Sequence, residues 1–181
     1  MRGRARANLS EIDYATERTE KGEMLNSNWL RRWAPVILAA MVMWIFSTEL
    51  FSDEHTGRVV VPLLHWLFPW MTPRMLLLGH KAIRKLAHVF VYFVFGVFLL
   101  RAIRGDNKGW KWWWAAAAIG LAGGYAAVDE IHQSFTRSRH PSVRDVMLDV
   151  FGALAAQLAL WMHGRWRERG KGLNGPPPEA A

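Results

Sequence analysis

Cysteine is absent from all 181 residues. Its absence excludes a disulfide framework, a thiolate metal site and a thiol nucleophile, and leaves the redox compartment unmarked. Acidic side chains are scarce as well, 15 against 23 lysines and arginines, so the net charge is +8. The surplus forms no separate basic module. Arg31 and Arg32, Arg101, Arg104, Lys108 and Lys111, and Arg165, Arg167, Arg169 and Lys171 fall in tails and a short loop beside apolar runs. That placement suits anionic lipid head groups and argues against a nucleic-acid partner. No HExxH or comparable ligand spacing occurs, so no metal and no other cofactor is assigned. No small-residue cleavage site follows Arg31-Arg32, and the sequence therefore predicts an uncleaved first helix whose arginines set topology.

What the chain has is apolar sequence, 51% of its residues, gathered in runs rather than spread in an amphipathic pattern. Four runs predict membrane spans at 34–51, 86–100, 112–131 and 146–162. The expected fold is all-α: a polytopic four-helix transmembrane bundle over 34–163, between a polar tail (1–33) and a basic, Pro-rich tail (164–181), both loosely structured. Pro35 is tolerable in the first helical turn. Residues 59–78 are also apolar, yet Pro62, Pro69, Pro73, His65 and Arg74 predict an interfacial or re-entrant segment there. Within it, Thr72-Pro73 suits an N-cap and first helical residue leading toward the second span. Four crossings put both termini on one side, and the lysine and arginine bias makes that side cytoplasmic in a cytoplasmic (inner) membrane. Trp29, Trp33, Trp110, Trp112 to Trp114, Trp161 and Trp166 fall at the same level, with Trp66 and Trp70 at the opposite interface.

This count brings three polar clusters to the outer end: Arg84, Lys85, His88 and Tyr92; Asp129, Glu130, His132 and Gln133; Arg139, Arg144, Asp145 and Asp149. Residues three or four apart share a helix face, so each helix carries a polar stripe. Ionisable groups are costly against lipid, which turns the stripes inward to pair. Gly120, Gly123 and Gly124, with Gly152, Ala155 and Ala156, offer small faces for close helix approach. Two chemistries fit. Lys85, Arg139 and Arg144 can hold an anion while Tyr92, Gln133, Asp145 and Asp149 complete a ligand-binding pocket. Alternatively Asp129 or Glu130 acts as general base and His88 as acid. The plainer use of the same residues is ion pairing that fixes helix packing. Glu49, near the far end of the first run, lies too close to the helix end for a mid-membrane proton site.

At Trp44-Ile45-Phe46-Ser47-Thr48, Lys85-x-x-His88-x-x-x-Tyr92, Asp129-Glu130-x-x-Gln133-x-Phe135, Arg139 and Asp145-x-x-x-Asp149-x-x-Gly152, the chain resembles the VanZ-like family of small bacterial membrane proteins. That family usually carries asparagine at the position of Asp149 and two serines at Ser47-Thr48. The resemblance implies a cell-envelope role associated with resistance to teicoplanin and related glycopeptide antibiotics. The expected partners are membrane lipids and a lipid-linked cell-wall precursor or a lipophilic glycopeptide, bound at the outer-face pocket. The rival expectation is an enzyme acting on an envelope lipid or peptidoglycan precursor. The sequence is silent on oligomeric state.

Overall fold

The computed structural model describes residues 28–48, 53–134 and 142–173. Among them there is no strand. Five helices follow in order: α1 (Asn28–Phe46), α2 (Asp53–Leu67), α3 (Pro73–Arg104), α4 (Trp112–Ser134) and α5 (Val143–Leu173). Three segments are long and apolar enough to cross a membrane: α1, α3 and Val143–Arg169 of α5. The fourth expected span, α4, has the length, about 35 Å at 1.5 Å per residue, but not the aliphatic content. Tryptophan, glycine and alanine fill it instead.

Helix α4 is held by packing. Its buried positions, Trp114, Ala118, Ala122, Ala126, Asp129 and Gln133, recur every three or four residues and form one stripe. It packs on α3 and α5, and the Tyr125 hydroxyl donates to the Ala40 carbonyl of α1 at 2.6 Å. The most extensive contact joins α3 to α5. There a Cβ added at Gly152 would meet the Val89 carbonyl oxygen, and one at Gly96 would lie 3.1 Å from the Ala153 Cα. Small residues fill the centre, with Ala118, Ala122, Ala153 and Ala156 fully buried, while Leu38, Leu86, Phe90, Met147 and Phe151 point outward. Small inside and large apolar outside is the arrangement expected of helices that associate in lipid.

Several boundaries differ from those expected. Helix α1 begins at Asn28, which puts Pro35 two turns inside it rather than in the first turn; its end at Phe46 leaves Glu49 outside the described residues. The segment before the second span is two elements. The 15-residue α2, about 22 Å long, is too short to cross a bilayer and folds back along α3, with Gly57 and Thr56 beside His80 and Leu64 beside Gly79. Helix α3 then starts at Pro73 behind an extended Thr72, whose side chain accepts from the Met75 N–H at 3.3 Å. It continues unbroken through Gly79 for 32 residues, about 48 Å, so the second span is the latter part of a longer helix. It ends at Gly105, whose positive φ of 59° closes the turn, and Arg32 pairs with Asp106 just beyond. Helix α5 runs past 162 to Leu173. Arg, Lys and Glu are good helix formers, so part of the segment expected to be a loose tail continues the helix.

Candidate functional site

Four helices meet around a cavity of about 290 Å³ at one end of the bundle. Helix α3 supplies Arg84, Ala87, His88, Val91 and Tyr92, one face at helical spacing. Asp129 and Gln133 come from the last turns of α4, Met43 and Phe46 from the end of α1 with Ser47 directly after it, and Thr56 from α2. Apolar Met43, Phe46, Ala87 and Val91 therefore face a polar wall.

The polar wall is only partly satisfied. Gln133 Nε2 donates to Asp129 Oδ2 at 2.8 Å, one turn apart on α4. Thr56 Oγ1 accepts from Arg84 Nη1 at 3.3 Å and lies 3.3 Å from His80 Nε2, tying α2 to α3 beside the cavity. His88 Nδ1 lies 3.2 Å from Asp149 Oδ1, a carboxylate buried behind the imidazole on α5. Three further atoms are shielded from solvent and have no hydrogen-bond partner among the described residues: Ser47 Oγ, Tyr92 OH and Asp129 Oδ1. All three belong to residues that line the cavity and are at most 7% exposed. A buried oxygen left unpaired costs roughly 1–3 kcal/mol. All three sit in side chains around the one space.

The structure thus brings His88, Tyr92, Asp129 and Gln133 to one cavity, with Asp149 directly behind. The other candidates are placed differently. Glu130 accepts the Ser142 N–H at 2.5 Å, bracing the start of α5, and Asp145 lies within its electrostatic reach. Lys85 and Arg144 are exposed and do not line the cavity. Arg139 and Phe135 lie outside the described residues. His132 stacks on Trp44 with ring centroids 4.0 Å apart, an α1–α4 contact. No group of three or more His, Asp or Glu is arranged to hold a metal among the described residues. Sequence reasoning missed Thr56, which belongs to no motif, and gave Ser47 no role although it sits in a quoted match.

This is the arrangement of a helical membrane protein with a largely apolar cavity, carrying a few polar side chains, set among its helices. A family profile described as VanZ/LLP1 matches residues 32–163. The chain belongs to that family. No curated protein and no solved structure matches it.

Proposed function

We propose that the chain is a four-span VanZ-family protein of the cell envelope that binds an amphiphile in the cavity and thereby lowers susceptibility to lipophilic glycopeptides. Helix α4 is the fourth span on this reading, crossing by virtue of its packing. The arginine-rich opposite end then faces the cytoplasm and the cavity faces outward. The observation that carries the reading is that Ser47 Oγ, Tyr92 OH and Asp129 Oδ1, unpaired and buried among the described residues, belong to side chains around one space that Met43, Phe46, Ala87 and Val91 also line.

Charge narrows the guest. Arg84 and Asp129 both line the cavity and Asp149 lies behind His88, so carboxylates are at least as numerous as cations around it. A free carboxylate oxygen and two hydroxyls favour a neutral polar group bearing N–H or O–H donors over a phosphate, which the carboxylates would repel. An acylated amino sugar, as on a lipophilic glycopeptide, has that chemistry, with its chain free to lie on the apolar lining. The test is native mass spectrometry of the full chain with teicoplanin, its deacylated form and dioleoyl phosphatidic acid as separate probes. Retention of teicoplanin that is lost in Asp129→Leu, with any retention of phosphatidic acid untouched by that change, is the expected result. Retention of phosphatidic acid that Asp129→Leu abolishes, with no teicoplanin retained, would sink the donor-bearing guest, and retention of no teicoplanin would sink the binding role.

The His88–Asp149 pair favours a second reading. An imidazole bordering a cavity and oriented by a buried carboxylate is the pairing of a general base with its positioning partner. On that reading an envelope lipid or peptidoglycan precursor is turned over. Incubation with a lipid-linked precursor and mass analysis of the products distinguishes it from binding, since His88→Gln would abolish product while leaving retention intact.

A further inference from the structure

The other end of the bundle holds a second, larger cavity of about 620 Å³ between the C-terminal part of α3, the 105–111 loop and α5. Its chemistry is the reverse of the first. Arg101, Arg104, Arg165 and Arg167 line it against one carboxylate, Glu168, while Leu100 and Leu160 form an apolar side. Arg165 is steadied over the Trp161 ring at 5.4 Å.

Two lining atoms, Arg104 Nε and Trp110 Nε1, are shielded from solvent and have no hydrogen-bond partner among the described residues. Both are donors that can never accept. The first cavity leaves three oxygens unpaired; this one leaves two N–H groups beside a cationic surplus. Its missing guest is an acceptor carrying negative charge.

Position identifies the kind of acceptor. Trp112, Trp113 and Trp166 are exposed at this same end, where indole rings sit at the level of lipid head groups. Half-buried Val97 and Leu160 lead from the basic cluster toward the apolar part of α3 and α5. Guanidinium groups meet phosphate oxygens in paired hydrogen bonds, and basic pockets between membrane helices suit lipid head groups. We infer that this cavity binds the phosphodiester head group of an anionic phospholipid, whose acyl chains descend over Val97 and Leu160.

The experiment is native mass spectrometry of the full detergent-solubilised chain with dioleoyl phosphatidylglycerol, dioleoyl phosphatidylcholine and inorganic phosphate. Phosphatidylglycerol is expected to be retained at least about tenfold better than phosphatidylcholine, since both carry the phosphodiester but the choline cation meets the four lining arginines as a like charge. The paired change Arg104→Gln with Arg167→Gln should bring the two lipids to parity, while Arg74→Gln, exposed toward the opposite end of α3 and lining neither cavity, should leave the preference intact. Trp110→Phe keeps the ring and removes only the N–H, so it tests the same site if the paired variant does not fold; a severalfold loss of preference is expected. Equal retention of the two lipids overturns the inference, as does a preference untouched by both the paired variant and Trp110→Phe. Displacement of the lipid by inorganic phosphate at comparable concentration overturns it too, because the ligand would then be the free ion.

Discussion

His88 Nδ1 on α3 and Asp149 Oδ1 on α5 stand 3.2 Å apart, the carboxylate buried and the imidazole at the cavity edge. This contact crosses the α3–α5 interface, the most extensive among helices α2 to α5. Removing either partner leaves a different remnant, and the remnants rank the effects. His88→Ala strands a buried carboxylate and is expected to cost about 3–5 kcal/mol. Asp149→Asn keeps an oxygen that can accept from the ring and should cost about 1 kcal/mol or less. Thermal melts of the purified variants give the order; Asp149→Asn melting below His88→Ala would refute the pairing.

Tyr92 supplies a sharper test of the cavity. Its hydroxyl is buried without a partner among the described residues, and its ring meets Phe95 edge-on with centroids 6.3 Å apart. Tyr92→Phe keeps that ring and deletes only the unpaired oxygen. The empty protein should therefore be unchanged or slightly more stable. If the hydroxyl bonds the guest, retention should fall by about two- to twelvefold, the equivalent of 0.5–1.5 kcal/mol. Loss of stability in the absence of any ligand would show that the hydroxyl serves the fold instead.

Glycine contacts separate the close interface from the open faces. A methyl group at Gly152 runs into the Val89 carbonyl oxygen and also reaches the Tyr92 Cβ at 3.2 Å, both on α3, whereas one at Gly120 meets nothing within 4 Å. Gly152→Ala should force α5 away from α3 and cost about 1–3 kcal/mol. Gly120→Ala should be neutral or stabilising by up to about 1 kcal/mol, because alanine is the better helix former. Melting temperatures of the two variants decide it, and equal effects would mean that the α3–α5 approach is looser than described.

Much of this was legible because lipid-facing helices write long apolar runs. The runs at 86–100, 112–131 and 146–162 each lie within one helix, and Thr72-Pro73 marks the start of α3 as capping chemistry requires. The ends were less legible. Arg165 to Arg169 holds neither proline nor glycine and is rich in good helix formers, so hydropathy stops before the helix does. Spacing brought His88, Tyr92, Asp129 and Gln133 together, since one face of each helix carries them. It could not rank neighbours one residue apart. Arg84 lines the cavity while Lys85 is exposed, and Asp129 lines it while Glu130 bonds to Ser142, a choice made by helix rotation in the packed bundle. The glycines tell the same story: Gly120 and Gly124 were candidate contact faces but look onto open space, and Gly96, unremarked in the sequence, packs against α5.

Thr56 is the side chain through which α2 reaches the site. Its hydroxyl accepts from Arg84 and lies within bonding distance of His80, which is 2% exposed. Thr56→Val preserves shape and removes both contacts, at an expected cost of about 1–3 kcal/mol. The loss should be local, because α2 packs mainly on α3 while α4 is braced by α3 and α5 and by Tyr125 on α1. Hydrogen–deuterium exchange should rise across 53–67 and stay unchanged across 112–134. Guest retention should fall in parallel, since Thr56 also lines the cavity. Faster exchange in both segments would make Thr56 a prop of the whole bundle, and unchanged exchange in both would remove it as the link that holds α2 over the site.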